Sequence, residues 1–161
     1  MLTNRKIIVT GAASGIGAST IKAYVAAGAR VAAMDIIDDR GEMLVAQANL
    51  NGPGRAFYRN CDVADRATTF GAFESAAAYL GGLDVLVHAA GVERNSPAEA
   101  IDDNHWDQML DINARGTMNT NQAAFAHLRT CGGHIINFAS SAGIRGMIGA
   151  AAYSASKGAV L

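Results

Sequence analysis

A tyrosine and a lysine stand four residues apart near the end of the sequence, in the segment "YSASK" from Tyr153 to Lys157. Because residues four apart share one face of a helix, the phenol and the ammonium group would lie side by side. A free tyrosine has a pKa of about 10, and a neighbouring cation favours its ionised form. Lowering that pKa by about two to three units, worth roughly 3–4 kcal/mol, would let Tyr153 exchange a proton with a substrate oxygen. An isolated pair of this kind is more often part of a solvated helix face.

Ser140, in the segment "NFASSAG", is the second candidate for chemistry, because it lies thirteen residues before Tyr153 at the end of an apolar run. Its hydroxyl could donate a hydrogen bond to a substrate oxygen and hold that oxygen near Tyr153. No G-x-S-x-G pattern surrounds it, which argues against a hydrolase nucleophile. The alternative is an ordinary loop serine.

The glycine-rich segment "TGAASGIG" follows the short apolar run Lys6–Thr10 and precedes a helical pattern. A strand, a glycine turn and a helix N-terminus in this order bind a pyrophosphate, because free backbone N–H groups face the anion. The spacing is G-x-x-x-G-x-G, and the alternative is a tight turn with no ligand. We assign to cofactor binding the residues Gly11, Ser14, Gly15, Ile16 and Gly17.

Asp35 ends the second apolar run, about twenty residues beyond the glycines. A carboxylate at this place accepts a hydrogen bond from a ribose 2′-hydroxyl and repels a 2′-phosphate. Ser14 and Ile36 supply no positive charge for such a phosphate, so the sequence favours NAD over NADP. Arg40 lies close enough in sequence to weaken this preference, and an aspartate that only caps a turn is the alternative.

Strands and helices alternate along the whole chain, and the strands lack a polar face. This pattern predicts an α/β fold of the Rossmann type, a doubly wound parallel sheet in a three-layer α/β/α arrangement, as one domain over residues 1–161. The predicted strands are Lys6–Thr10, Arg30–Ile36, Ala56–Asn60, Asp84–Gly91 and His134–Ser140. The predicted helices are Ile16–Gly28, Arg40–Leu50, Ala64–Leu80, Trp106–Arg129 and one that opens near Tyr153.

Composition excludes several classes of function. The 161 residues are 50% hydrophobic and 17% charged with a net charge of −1, so neither nucleic acid nor a membrane surface is an expected partner. No signal or membrane segment is recognised, and we expect a cytoplasmic protein in which Cys61 and Cys131 are reduced. The histidines show no metal-ligand spacing, so no metal site is predicted.

Seven motifs occur in order through nearly the whole chain. They are "TGAASGIG", Asp35, "CDV" at Cys61–Val63, "HAAG" at His88–Gly91, Asn113 in "DINARG", Ser140 and "YSASK". In this order they resemble the short-chain dehydrogenases/reductases, in their classical branch. One departure is His88-Ala89, which replaces both asparagines of the family's usual "NNAG". The first asparagine ties neighbouring strands in relatives, and His88 could still donate a hydrogen bond.

The resemblance implies an oxidoreductase that interconverts a secondary alcohol and a ketone with NAD, and less readily with NADP. By position, the catalytic residues would be Asn113, Ser140, Tyr153 and Lys157. Asn113 would anchor a water that links Lys157 to solvent. Further cofactor contacts would come from Asp62, Val63, Ala90, Gly91, Tyr153 and Lys157. The substrate would be a small molecule, and the complete enzyme would be a homodimer or homotetramer.

Members of this family continue for two more strands after the Tyr–Lys helix, so the resemblance implies a fold that lacks the C-terminal strands. Two hypotheses follow for this chain. It is an NAD-dependent alcohol/ketone oxidoreductase, or it is an inactive dinucleotide-binding fragment or a subunit that depends on a partner. The substrate stays open, although Ala142, Gly143, Ile144 and Met147 suggest an apolar wall beyond the fifth strand.

Overall fold

The computed structural model describes residues 2–129 and 132–161 and contains five strands in one parallel sheet. The strand order is β3-β2-β1-β4-β5, so the order reverses between β1 and β4. Short apolar, β-branched segments form the central strands, because their side chains are buried on both faces of the sheet. The strands are β1 (Lys6–Thr10), β2 (Arg30–Asp35), β3 (Arg55–Asn60), β4 (Val85–His88) and β5 (His134–Asn137).

Helices connect the parallel strands. Helix α4 runs without a break through a π-helical segment, Leu110–Arg115, into α5. A short 3₁₀ turn, Ala98–Ala100, precedes it. The α-helices are α1 (Gly15–Ala26), α2 (Asp38–Leu50), α3 (Arg66–Leu80), α4 (Asp103–Met109), α5 (Gly116–Leu128), α6 (Ala142–Arg145) and α7 (Ala151–Gly158).

Two hydrophobic cores lie on opposite faces of the sheet. On one face Ile8 and Leu86 pack with Phe73 of α3 and with α5. On the other face Val9 packs with Ile21 of α1 and with α2. The residues of β1 therefore alternate between the two cores, and helices cover both faces. This arrangement confirms the predicted doubly wound, three-layer α/β/α fold.

The long helix differs from its prediction at its start. It begins at Asp103 rather than at Trp106, because the Asp102 carboxylate accepts a hydrogen bond from the His105 backbone N–H at 2.7 Å and caps the helix. Met109 is buried, whereas Trp106 is 42% exposed.

Other element boundaries shift by one or a few residues. Helix α2 begins at Asp38, two residues before the predicted start, where two acidic side chains favour a helix N-terminus. Strands β4 and β5 are shorter than predicted, and the loop before Tyr153 contains the short helix α6. These differences leave the predicted order of elements unchanged.

Three further findings concern the classes of function. No helix among the described residues is long and apolar enough to cross a membrane. Nor does this part of the chain bring three or more His, Cys, Asp or Glu side chains together in a way that could hold a metal ion. Cys61 is a buried free thiol whose pKa burial raises to about 11, whereas Cys131 lies outside the described residues.

Candidate active site

A cleft of about 470 Å³ opens at the carboxyl ends of the strands, where the strand order reverses. Parallel sheets of this type bind their ligands at such a reversal. Three predicted cofactor segments meet there: the glycine turn after β1, Asp35 at the end of β2, and the turn after β4. Predicted cofactor residues that line the cleft are Gly11, Ser14, Gly15, Ile16, Asp35, Asp62, Val63, Ala90 and Gly91.

At the glycine turn, backbone segments approach each other more closely than a residue with a Cβ atom would permit. Gly11 has φ +68°, and a Cβ there would lie 2.7 Å from the backbone of Ala89, so two turns at the cleft wall touch directly. Gly17 is buried, and a Cβ there would lie 2.1 Å from the Gly11 carbonyl oxygen. Gly17 therefore does not line the cleft but allows α1 to begin directly behind the turn.

The Asp35 carboxylate joins two parts of the cleft. One oxygen accepts a hydrogen bond from the Ala13 N–H of the glycine turn at 2.9 Å. The other accepts from the N–H groups of Ile36 and Ile37, at 2.8 and 3.1 Å. Because a carboxylate has about four acceptor positions, roughly one remains for a ligand hydroxyl.

His88 ties β4 to β1, as a histidine in place of the family's asparagine could do. Its Nδ1 lies 2.8 Å from the Thr10 hydroxyl, which also accepts a weak hydrogen bond from the Ala90 N–H at 3.3 Å. The Nε2 atom is buried without a hydrogen-bond partner among the described residues. Burial, and secondarily the charge of Lys157, lower the pKa of His88 to about 4, so the ring is neutral at neutral pH.

Asn113 lies in the π-helical segment and is 1% exposed. Its side-chain oxygen accepts from the Val92 N–H at 2.8 Å, and its amide donates to the Val92 carbonyl and to the Ser156 hydroxyl, both at 2.9 Å. One side chain thus connects the turn after β4 with α7. Segments of π-helix occur frequently at functional sites, because they redirect the side chains of the helix.

Lys157 reaches the same place from α7. Its Nζ atom donates a hydrogen bond to the Phe138 carbonyl at 2.7 Å and lies 6.0 Å from the centre of the Tyr153 ring. A Cβ on Gly91 would lie 3.5 Å from this Nζ and 3.0 Å from the Asn113 side-chain oxygen. The ammonium group therefore stands directly behind the cleft wall. Burial lowers the pKa of Lys157 below its ordinary value.

Ser140 and Tyr153 line a second cavity of about 280 Å³. Of the predicted apolar wall, Ala142 and Met147 line it, whereas Ile144 is 72% exposed and lies elsewhere. The lining also contains two charged residues that the sequence analysis did not single out: Glu93, two residues beyond Gly91, and Arg145 in α6. The prediction of an apolar wall is therefore wrong in part, and no sequence signal marked the two charges.

All four predicted catalytic residues thus lie at one end of the cleft, and the predicted cofactor residues other than Gly17, Tyr153 and Lys157 line it. Lys157 adjoins the cleft through Gly91, and Tyr153 lies beside Lys157. Further lining residues that the sequence analysis did not assign to cofactor binding are Ile36, Ile37, Cys61, Ala89, Val92 and Ile112. All six are apolar or small; five of them follow strand ends, and Ile112 lies in the π-helical segment.

Comparison with known proteins finds one family. The model of the family described as short chain dehydrogenase matches residues 5–161. D-threitol dehydrogenase of Mycolicibacterium smegmatis is 43% identical over 159 residues, which cover 97% of this chain and 60% of that protein. Trans-4-hydroxycyclohexanecarboxylate dehydrogenase of Sinomonas cyclohexanicum is 35% identical, over 93% of this chain and 60% of that protein.

Solved structures agree with this similarity. The crystal structure of NAD⁺-bound xylitol dehydrogenase superposes with a TM-score of 0.94 at 28% sequence identity. The match covers 99% of this chain and 62% of that one. The chain thus spans about 60% of the length of the curated relatives that it matches.

Proposed function

Because the chain belongs to the short-chain dehydrogenase family, we propose that it functions as an NAD-dependent oxidoreductase that interconverts a secondary alcohol and a ketone. The observation that carries this proposal is a juxtaposition at the Gly91 end of the cleft. There Ser140 and Tyr153 share one small cavity, and the Lys157 ammonium group lies between the Tyr153 ring, 6.0 Å from its centre, and the cleft wall at Gly91. Dinucleotide and substrate would meet at that wall.

The residues of the cleft fit a nicotinamide dinucleotide. The N-terminus of α1 and the glycine turn would face its pyrophosphate, since Gly15 lines the cleft and a Cβ there would meet no atom within 4 Å. The free acceptor position of Asp35 would receive a ribose hydroxyl, and its negative charge would disfavour a 2′-phosphate. When bound, the nicotinamide supplies the acceptor or donor of a hydride.

Tyr153 holds the proton that the substrate oxygen loses or gains. The Lys157 ammonium group lies 6.0 Å from the Tyr153 ring centre, on the same face of α7. Ser140 orients the substrate oxygen through its hydroxyl. Because this hydroxyl accepts a hydrogen bond from the Ala142 N–H at 3.1 Å, its own proton is available to donate to the substrate. Asn113 positions α7, and with it Tyr153 and Lys157, through Ser156.

Two relatives support a polyhydroxylated alcohol as substrate. Their names are D-threitol dehydrogenase and xylitol dehydrogenase. The charged side chains of Glu93 and Arg145 at the second cavity suit hydroxyl-rich substrates, because a carboxylate accepts from a hydroxyl and a guanidinium group donates to one. The proposal therefore extends to small polyols.

Steady-state reduction of NAD tests the function. The purified protein is assayed with threitol, xylitol and simple secondary alcohols such as 2-butanol, and NAD binding is titrated in parallel. We expect turnover with a polyol and tighter binding of NAD than of NADP. Binding of NAD without turnover of any alcohol would support the alternative, a dinucleotide-binding subunit that depends on a partner. No binding of either dinucleotide would refute both.

A further inference from the structure

The Tyr58 hydroxyl of β3 lies between two hydrogen-bond acceptors at the end of the cleft that Asp35 forms. It lies 2.6 Å from the Asp35 backbone carbonyl oxygen and 2.9 Å from the Asp38 carboxylate. These two acceptors are the last residue of β2 and the first residue of α2. One side chain therefore holds both ends of the turn 35–38, which carries three residues of the cleft lining.

Gly41 makes room for this side chain. A Cβ at Gly41 would lie 2.1 Å from Cε2 of the Tyr58 ring, so the ring rests directly against the helix backbone. Gly41 is buried inside α2 with an ordinary helical backbone, and a glycine inside a helix costs about 1 kcal/mol relative to alanine. Close contact with the ring explains why a glycine stands at this position.

A second hydrogen bond from β3 holds the same carboxylate. The Asn60 side-chain amide donates to Asp38 at 2.7 Å. Hydrogen bonds from Asn60 and then from Tyr58 hold the pKa of Asp38 below its ordinary value. Burial, and secondarily the hydrogen bond to Asp38, raise the pKa of Tyr58, so the hydroxyl keeps its one proton, which the two acceptors share. The turn is therefore held with its negative charges in place.

The position of the Asp35 carboxylate depends on this turn. One of its oxygens accepts from the N–H groups of Ile36 and Ile37, which lie within the turn, and the other reaches Ala13. If the turn shifted, the carboxylate would lose these donors and its direction toward the cleft. Tyr58 touches neither the cleft nor, by this geometry, a bound dinucleotide, and would act only through Asp35.

We propose that Tyr58, whose ring packs against Gly41, is a positioning residue. It holds the turn 35–38 in the conformation that receives the ribose of NAD and rejects a 2′-phosphate. This inference rests on the proposed function in one respect, that the cleft binds NAD. It assigns cofactor discrimination to a side chain outside the cleft.

Dissociation constants for NAD and NADP in the Tyr58→Phe variant test the inference. This change removes the hydroxyl and keeps the ring on Gly41. We expect the dissociation constant for NAD to rise about three- to tenfold, equivalent to about 0.7–1.4 kcal/mol, and that for NADP to change less than twofold. The control is Tyr79→Phe, which removes the hydroxyl of a tyrosine that is 66% exposed on α3.

Gly41→Ala tests the packing of the Tyr58 ring against α2 independently of the Tyr58 hydroxyl. We expect it to displace the ring and to weaken NAD binding in the same direction. Gly71→Ala in α3 is the matched control, because a Cβ at this helical glycine would meet no atom within 4 Å. The control should leave both dissociation constants unchanged, while thermal unfolding shows whether each variant is folded.

Two results would overturn the inference. One is an unchanged NAD affinity in Tyr58→Phe, and the other is an equal loss of NAD and NADP affinity with a lower unfolding temperature, which would assign Tyr58 a structural role only. Failure of the proposed function looks different, because the wild-type protein itself would then bind no NAD or would prefer NADP.

Discussion

The two ends of the cleft are built in different ways. At the Asp35 end, the polar contacts join residues of neighbouring elements: Asp35 to Ala13 and Tyr58 to Asp35 lie 22 and 23 residues apart. At the Tyr153 end, Asn113 contacts Ser156 across 43 residues, and His88 contacts Thr10 across 78. The first end therefore forms within consecutive strand–helix units, and the second requires distant parts of the chain to meet.

The strands that lead to the two ends of the cleft also differ in burial. Strand β2, which carries Asp35, lies inside the sheet with four consecutive buried residues. Strand β5, which precedes Ser140, lies at the sheet edge, and its Ile136 is 41% exposed. The Asp35 end therefore belongs to the centre of the sheet and the Ser140 end to its edge, and we expect substitutions at the two ends to have separable effects on cofactor affinity and on turnover.

The largest expected effect is at the Tyr153 end. Tyr153→Phe removes the hydroxyl that would transfer the proton in the proposed reaction, and we expect turnover of the alcohol to fall at least about 100-fold, because general acid–base catalysis contributes about 10²–10⁴-fold. The dissociation constant for NAD should stay within about twofold. Steady-state kinetics and NAD titration measure the two quantities, with Tyr79→Phe as the control. Comparable turnover in the variant would refute the proton-transfer role.

His88 gives the Tyr153 end a pH dependence of stability. Its pKa is about 4 in the folded protein and about 6.5 in the unfolded chain, so the unfolded chain binds the extra proton between these values. The free energy of unfolding should thus fall as the pH falls from about 6.5 to about 4, by about 3 kcal/mol in total.

His88→Asn should remove this pH dependence, because asparagine does not titrate and can still bond to Thr10. Urea unfolding at several pH values between 4 and 8 measures the effect. The exposed His134 provides the control variant His134→Asn, which should keep the wild-type slope. Equal slopes in His88→Asn and the wild type would contradict the assignment.

A smaller effect is expected at the Asp35 end. Asp35→Ala removes the carboxylate that would pair with a ribose hydroxyl, and we expect the preference for NAD over NADP to fall about tenfold, or about 1.4 kcal/mol. Turnover at saturating NAD should change little, the reverse of the Tyr153→Phe pattern. Titration of both dinucleotides measures the ratio, and Asp39→Ala, at an exposed acid of α2, is the control. An unchanged ratio would count against the role of Asp35.

Much of the fold was predictable because its signals are local. The buried strand before Gly11 and the alternation of strands with helices indicated a parallel sheet, and the sheet places strand ends together at one edge. The π-helical segment around Asn113 was not predictable, since its residues are compatible with an ordinary helix. The start of α4 was missed because Asp102 acts as a cap only once the chain turns there.

The amino-acid sequence by itself determined the class of fold, the glycine turn, the acidic end of β2 and the spacing of Tyr153 and Lys157, because turns and periodicities depend on near neighbours. Only the tertiary structure decided that Tyr58 rests on Gly41 and that Glu93 and Arg145 share a cavity with Tyr153. These contacts join residues from different elements. Their side chains meet only when the sheet and its helices have packed, which no local pattern encodes.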